Sequence, residues 1–268
     1  MRVLRALIEI TSLVLILLMG GHAFALIQIQ SSAIRPTMEK RTGNCGLSYV
    51  NVIYLNPMDL TIACEGIKRA QSFFDQFGFD SNGQKIEVEF KEEVLNPIKN
   101  DKGEIVEWQR VYGLYNRENE KIEMSSWGTD YLMSRKVFDS LPINYEYHTS
   151  VVTHEVSHRY HHIMSVQRGF HMAHATSEFI AYNVQIETMA DKERAEVLAL
   201  WPGKKLDYET HINSMIWASD PHAFGVLGYR FWKQDSPDIL SRMLKGEFED
   251  PDIMLEVMGA MSYNHQHQ

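Results

Sequence analysis

The sequence predicts an α+β protein, with an α/β half at residues 26–126 and a mainly helical half at residues 127–268. Segments of the first half that alternate between apolar and polar residues, or that are rich in β-branched residues, indicate strands. Segments of the second half repeat apolar residues every three or four positions, which indicates helices. No internal repeat or linker divides residues 26–268, so we predict a single domain.

The first 25 residues are predicted to form a secretory signal. Arg2 and Arg5 give a positive start, residues 10–19 are mostly apolar, and an Ala-Phe-Ala triplet ends at Ala25. This order is typical of a signal peptide that is cleaved after Ala25. The apolar run is shorter than the roughly 20 residues that span a membrane, and an uncleaved anchor is the alternative. We therefore expect a periplasmic or secreted protein without stable membrane insertion after cleavage.

The charge of the chain limits its partners. The sequence contains 26 Lys and Arg against 35 Asp and Glu, a net charge of −9, and it has no basic cluster. This balance argues against nucleic acid or an anionic membrane as the main partner. The sequence does not indicate the oligomeric state of the protein.

Two cysteines, Cys45 and Cys64, are present. In an oxidising compartment we expect them to form a disulfide, with two buried free thiols as the alternative. Two cysteines alone are too few for a structural zinc site, which needs four ligands.

The first half begins with a predicted strand, helix and strand. Residues 50–55 are rich in β-branched and aromatic residues and residues 85–90 alternate strictly, so each segment is predicted to be a strand. Between them, Asp59 is the expected N-cap of a helix and Gly78 its stop. One apolar face of this helix is formed by Leu60, Ala63, Ile67, Ala70, Phe74 and Phe77.

The remaining elements are a hairpin and four helices. Residues 100–103 (Asn-Asp-Lys-Gly) form a predicted turn, and residues 111–115 and 121–125 a predicted hairpin around residues 116–119. Strand signals fade from residue 131 onward. Helical periodicity then predicts helices at residues 151–164, 177–189, 223–232 and 253–261.

One predicted helix carries an H-E-x-x-H motif formed by His154, Glu155 and His158. Two histidines one helical turn apart point to the same side and can bind one zinc ion. Glu155 is then held next to a water on the metal, where it can act as a general base. Zinc lowers the pKa of such a water toward neutrality, which favours attack on a carbonyl. The alternative is that both histidines lie on a solvated helix face.

A catalytic zinc site needs a third protein ligand, and Glu178 is the best candidate. It follows His158 by twenty positions and lies at the start of the predicted helix at residues 177–189, which can return past the first helix. The alternative for Glu178 is a solvent-facing glutamate, in which case the substitutes are His171, His174 and Glu187.

His161 and His162 follow the motif closely but are not expected to bind the same ion. They lie about 10 Å and 12 Å along a straight helix from His154, which is too far for a shared ligand sphere. We predict that both are surface histidines or flanking polar groups.

His154, Glu155, His158 and Glu178 resemble, in residue type, order and spacing, the gluzincins, which are the thermolysin-like and zinc-aminopeptidase-like metallopeptidases. The resemblance implies a zincin-type fold, in which a small mixed sheet covers the motif helix, with Zn²⁺ as the cofactor. Many gluzincins place an acid four residues after the third ligand, where it orients a histidine. Here that position is Tyr182, so the outer partners of the metal ligands are expected to differ.

The resemblance also implies a donor that stabilises the oxyanion and a strand that holds substrate. The donor is usually a Tyr or His of a later helix, and His222 and Tyr229 are the candidates. A core tyrosine and a surface histidine are the alternatives. Residues 121–125 resemble the edge strand to which a peptide substrate adds in this group.

These observations together predict a zinc metallopeptidase that acts on a peptide or protein substrate, with Glu155 as general base. Two alternatives stay open. One is a non-proteolytic zinc-binding protein that acts as a binding module. The other is an amidase that cleaves other amide bonds, such as those of cell-wall peptides, because both reactions need the same polarised carbonyl.

Overall fold

A five-stranded sheet and a layer of helices enclose one central helix. In the computed structural model, the structure is described for residues 39–80, 83–100 and 102–252, and the predicted signal and the predicted helix at residues 253–261 lie outside these ranges. The strands are β1 (Arg41–Gly43), β2 (Val50–Tyr54), β3 (Ile86–Lys91), β4 (Val94–Lys99), β5 (Ile105–Val111), β6 (Gly113–Asn116), β7 (Lys121–Ser125), β8 (Lys136–Val137) and β9 (Leu141–Pro142).

The helices follow mainly in the second half of the chain. They are α1 (Pro57–Asp75), α2 (Asp130–Met133), α3 (Tyr145–Arg168), α4 (His174–Glu187), α5 (Asp191–Ala199), α6 (Ser214–Ser219), α7 (Pro221–Gln234) and α8 (Ile239–Lys245). This mixture of a small sheet and segregated helices confirms the predicted α+β class. In the part of the chain that the structure describes, no helix is both long and apolar enough to cross a membrane.

The main sheet has the strand order β1-β2-β3-β7-β6. The pairs β2–β3 and β3–β7 are parallel, whereas β1–β2 and β6–β7 are antiparallel. Both predicted strands at residues 50–55 and 85–90 are confirmed to within a residue. The predicted hairpin is also present as β6 and β7, although its first strand begins two residues later than predicted. The alternation in β3 has the expected cause, because Ile86, Val88 and Phe90 are fully buried on one face.

One prediction about the sheet is wrong. Residues 121–125, expected at the edge, form β7, which lies between β3 and β6. The edge strand is β6, whose antiparallel pairing with β7 places it last in the order. Sequence cannot distinguish the two strands of a hairpin in this respect, because both carry the same alternating pattern.

Helix α1 begins three residues earlier than predicted. Its N-cap is Asn56, whose side chain accepts a hydrogen bond from the Met58 amide. Asp59 instead completes a capping box by accepting from the Asn56 amide at 2.9 Å. Asp59 is also fully buried and accepts hydrogen bonds from the Ser126 hydroxyl and the Trp127 amide, so it joins α1 to the loop after β7.

A glycine allows α1 to approach α3 closely. A Cβ atom at Gly66 would lie 2.7 Å from the Val152 side chain, which no real Cβ contact tolerates. The Thr153 hydroxyl donates to the Gly66 carbonyl at the same point. At the start of α3, Glu146 binds Arg69 of α1 through both carboxylate oxygens. These contacts fix α3 against the first half of the chain.

Cys45 and Cys64 form a disulfide, as predicted. The bond joins the loop between β1 and β2 to α1. A disulfide is compatible with an exported protein, because such bonds persist in oxidising compartments.

The predicted helices at residues 151–164, 177–189 and 223–232 correspond to α3, α4 and α7, and α3 extends six residues further toward its N-terminus. Four short helices (α2, α5, α6 and α8), three short strands (β1, β8 and β9) and the hairpin of β4 and β5 were not predicted. Strand β5 is exposed along almost its whole length, so it lacks the alternation that marks a half-buried strand. Pro97 within β4 further weakens the strand signal.

Candidate metal centre

His154, His158 and Glu178 converge at one point, and we refer to these three residues as the metal centre. The two histidine Nε2 atoms lie 3.1 Å apart. Carboxylate oxygens of Glu178 lie 3.5 Å from His154 Nε2 and 3.4 Å from His158 Nε2. Ligand atoms bonded to one tetrahedral zinc ion at about 2.0–2.1 Å lie about 3.3–3.4 Å apart. The donor set and its spacing therefore fit a single zinc ion.

Two helices bring these ligands together. His154 and His158 lie one turn apart on α3, and Glu178 lies on α4. The position of α4 is fixed from behind by α7, whose Gly228 and Gly225 leave no room for a side chain. A Cβ atom at Gly228 would lie 2.8 Å from the Phe179 ring, next to Glu178 in the sequence. The predicted return of the second helix past the first is thus the arrangement that brings Glu178 to His154 and His158.

In the metal centre, the buried Glu178 carboxylate lies next to His154 and His158. Burial would raise the pKa of Glu178, but the nearby His158 and His154 outweigh it and lower that pKa to about 2. Burial favours neutral His154, yet Glu178 raises the pKa of His154 above its ordinary value. The pKa of His158 is lowered to about 3, chiefly by burial. In the metal-free protein, Glu178 is therefore ionised and His158 is neutral, and Glu178 favours the protonated form of His154.

The hydrogen-bond network around Gln185 determines which nitrogen of His154 faces the centre. The Ser150 hydroxyl donates to the Tyr147 carbonyl, so it accepts a hydrogen bond from the Gln185 amide nitrogen. The Gln185 oxygen is then left to accept from His154 Nδ1 at 3.1 Å. A neutral His154 that donates from Nδ1 keeps its lone pair on Nε2, which points toward the other ligands.

His158 is oriented by two further groups. Its Nδ1 lies 3.0 Å from the Ser177 hydroxyl and 3.1 Å from His161 Nε2. His161 is buried, so the prediction of a surface histidine is wrong, and the alternative of a flanking polar group describes it correctly. The cause is that helices cover this side of α3, which sequence periodicity alone could not show. His162 is partly exposed and contacts the Tyr115 hydroxyl at 2.6 Å.

Glu155, the predicted general base, is buried beside the metal centre. Its Oε2 accepts a hydrogen bond from the Tyr115 amide of β6 at 2.8 Å. Burial raises the pKa of Glu155 to about 7 in the metal-free protein. Gly113 makes this approach possible, because a Cβ atom there would lie 2.8 Å from the Glu155 side chain and 2.7 Å from Met124.

A cavity of about 780 Å³ opens onto the metal centre. Its lining includes all three ligands, Glu155, and Gly113 to Tyr115 of the edge strand β6. The volume is within the range of about 300–1,000 Å³ that small-molecule and cofactor sites occupy. The metal centre is therefore reachable from solvent along the free edge of the sheet.

Of the two predicted oxyanion donors, only His222 lines this cavity. Its Nδ1 lies 2.8 Å from an Asp139 carboxylate oxygen, which fixes the ring. The Tyr229 hydroxyl instead donates to Glu187 at 2.7 Å, and Tyr229 is not among the lining residues. The structure thus places Tyr229 against Glu187 and outside the cavity lining, and Glu187 does not belong to the converging group of atoms.

Tyr182 lies beside the metal centre, although it was not predicted as a site residue. Its ring lies 4.7 Å from the His154 ring and lines the cavity. Burial and the negative charge of Glu178 raise the pKa of Tyr182 well above its ordinary value, so its hydroxyl keeps its proton. A signal was present in the sequence, since Tyr182 occupies the position where many gluzincins have an acid.

The two substitute histidines also line the cavity. His174 Nδ1 lies 3.9 Å from the Glu178 carboxylate, and the His174 ring packs edge-on against Trp217. His174 and His171 are both exposed, and neither belongs to the group of atoms that converge at the metal centre.

The fold and the site thus define an α+β protein with a candidate metal centre of two histidines and a glutamate. Residues 50–249 match a family of unknown function, DUF6639, and because the match covers most of the chain, the protein belongs to this family. A search of curated proteins finds no match, and a search of solved structures finds none either. The matched residues include the complete metal centre.

Proposed function

We propose that this protein is an exported zinc-dependent hydrolase that cleaves peptide bonds. One observation carries the proposal: Glu155 lies beside the converging atoms of His154, His158 and Glu178, in a cavity that borders a free strand edge. Zinc bound by these three residues would supply a Lewis acid and lower the pKa of a water. Side chains of the protein would carry out the proton transfers and stabilise the oxyanion.

Glu155 is the proton carrier in this proposal. Its carboxylate is fixed by the Tyr115 amide, so one oxygen is committed to the strand and the other is free. The free oxygen would accept a proton from the attacking water and return it to the leaving amine. This hydrogen bond to the edge strand also places the base next to the site where substrate would bind.

Strand β6 offers main-chain groups to an extended peptide. The Tyr115 amide faces away from β7 and is occupied by Glu155, and the main-chain groups of Gly113, two residues earlier, face the same way and are the ones left for pairing. A peptide can pair with such an edge as an additional strand. This pairing would hold a carbonyl of the peptide next to Glu155, which favours a polypeptide substrate over a small isolated amide.

Tyr182 and His222 are the proposed donors to the developing oxyanion. Tyr182 lies nearest the metal ligands, with its ring 4.7 Å from that of His154. His222 is further out, with its ring 6.5 Å from that of Tyr182, and Asp139 supports it. Hydrogen-bond donors placed where charge develops typically contribute about 10²- to 10³-fold in rate.

The substitution Glu155→Gln tests this proposal. It removes the base but keeps the size of the side chain, so we expect turnover of a broad peptide library to fall at least about 100-fold. Zinc content should stay close to one equivalent, because Glu155 is not a ligand. His158→Ala is the comparison, and it should lose both zinc and turnover.

Other outcomes would contradict peptidase activity. If the wild-type protein binds zinc and cleaves no peptide of the library, the site is that of a binding module. If it cleaves only peptides that contain cell-wall linkages, the amidase alternative holds. Full turnover in Glu155→Gln would exclude Glu155 as the base.

A further inference from the structure

Positive side chains are concentrated in the cavity, although the chain as a whole is acidic. Arg110, Arg117 and Arg135 line it, while the sequence has a net charge of −9. Among the described residues of the lining, the only carboxylates are Glu155 and Glu178, and both belong to the proposed reaction centre. The walls of the cavity outside that centre therefore carry a positive charge.

Two of these arginines have no carboxylate partner among the residues that the structure describes. Arg110 is paired with Glu93 at 2.5 Å, which neutralises it. Within the described ranges, no ion pair is found for Arg117 or Arg135. The Arg135 guanidinium lies over the rings of Tyr112 and Tyr131, at 5.7 Å and 5.5 Å from their centroids. Aromatic faces hold such a cation in place without cancelling its charge.

The two unpaired arginines lie at opposite ends of the edge strand. Tyr112, which contacts Arg135, directly precedes β6, and Arg117 directly follows it. Five residues of extended chain separate positions 112 and 117, which is about 16–17 Å. A peptide that paired with β6 would therefore meet one positive charge near each end of the paired segment.

From this arrangement we infer that the substrate is an acidic peptide, with carboxylates on both sides of the bond to be cleaved. The inference rests on the proposed function, since it takes β6 as the strand that holds substrate. Charges of opposite sign across an interface select partners and speed their encounter. An acidic peptide would otherwise be repelled by the net negative charge of this protein, so the two arginines supply the attraction that such a substrate requires.

Binding to the full exported chain carrying Glu155→Gln tests the inference without cleavage. The probes are three fluorescein-labelled libraries of about ten-residue peptides with the same randomised apolar positions. One has several fixed glutamates and an amidated C-terminus, the second has glutamines at those positions, and the third is the glutamine library with a free C-terminus. We expect the glutamate library to bind at least about fivefold more tightly than the amidated glutamine library at low salt.

Substitutions of single arginines in the Glu155→Gln protein show which residues cause the preference for glutamate. Arg117→Gln and Arg135→Gln should each reduce the preference for glutamate by about two- to fivefold. Arg110→Gln is the matched control, because this residue lines the same cavity but is already paired with Glu93. It should change the preference by less than twofold.

The possible results separate the inference from the proposed function. Equal binding of the glutamate and glutamine libraries, or a preference that survives both arginine variants, overturns the inference. If only the free C-terminus improves binding, the arginines bind a terminal carboxylate and the two-sided assignment is wrong. If the preference is present but the wild-type, zinc-loaded protein cleaves neither library, the inference about binding stands and the proposed hydrolysis fails.

Discussion

The two histidines of the metal centre are oriented by neutral groups. Gln185 binds His154, and Ser177 together with His161 binds His158. Many gluzincins, which the motif resembles, use a carboxylate for this purpose. Neutral partners leave Glu178 as the single anionic ligand, so a bound divalent cation would keep a net positive charge. That charge adds to the attraction of the cavity for an anionic substrate.

Removal of Glu178 tests its role as third ligand. In Glu178→Ala only two histidines remain, so we expect zinc affinity to fall by more than the roughly 10–100-fold that the loss of an outer partner costs. Zinc titration against a competing chelator measures the change.

Glu187→Ala and His174→Ala are the controls for this experiment. Glu187 binds Tyr229 and Lys233, and the exposed His174 lies outside the converging group. Neither substitution should change zinc affinity measurably. Unchanged affinity in Glu178→Ala would remove Glu178 from the site and return His174 or Glu187 to consideration.

Zinc affinity should decrease as the pH falls. Glu178 raises the pKa of His154 in the metal-free protein, so part of the population carries a proton on His154 even above pH 6.5. Zinc has to displace that proton, so binding near neutral pH should release up to one proton. Calorimetry in buffers of different ionisation enthalpy measures the release. Glu178→Gln removes the cause of the raised pKa, and proton release that persists undiminished in this variant would contradict the assignment.

At the scale of elements, α7 positions both α4 and the cavity side chain Tyr182. A Cβ atom at Gly225 would lie 2.6 Å from the Tyr182 ring, so α7 packs against α4 at this point without a side chain between them. Because Tyr182 is held between Gly225 and His154, its direction is a consequence of helix packing. The catalytic role proposed for its hydroxyl therefore depends on an element that contributes no metal ligand.

Gly225→Ala should displace Tyr182 while the metal centre survives. The added methyl group overpacks the contact, which typically costs about 1–3 kcal/mol, and the higher helix propensity of alanine offsets up to about 1 kcal/mol. We expect a small loss of unfolding free energy in urea, unchanged zinc content and a clear fall in turnover. Tyr182→Phe should show the same fall without loss of stability. Full turnover in both variants would exclude Tyr182 as the oxyanion donor.

Elements with strong periodicity could be predicted from the sequence, and exposed or short ones could not. Strands β2 and β3 and helices α3, α4 and α7 each bury one face, and burial produces the pattern that prediction uses. The exposed strand β5 produces no such pattern. The start of α1 was misplaced because Asn56 and Asp59 share the cap, and sequence alone does not show which of them is the N-cap.

At the scale of the whole molecule, α3 connects the two halves of the chain. It packs against α1 and contacts β6 on the side of the first half, and it packs against α4 on the side of the second. The family match at residues 50–249 spans both halves. The metal centre thus lies where both halves meet, and its ligands come from the helical half while the edge strand comes from the other.

This arrangement explains which parts of the site could be predicted. The motif residues are found from local spacing, because the geometry of one helix fixes their directions, and Glu178 is found from its twenty-residue step after His158 at the start of a second predicted helix. Gln185, Tyr182 and Asp139 join the site through contacts between distant elements, which leave no local pattern. The burial of His161 has the same origin. The contact between Tyr229 and Glu187 also joins distant elements, and the helical pattern that places Tyr229 on α7 does not reveal it.

The central claim is that His154, His158 and Glu178 bind one zinc ion, and an anomalous difference map measured at the zinc edge tests it most directly. Crystals of the protein purified without chelator should give one strong peak. We predict that it lies about 2.0–2.2 Å from His154 Nε2, His158 Nε2 and a Glu178 oxygen. A zinc peak elsewhere, or none at these residues in zinc-saturated crystals, would contradict the account.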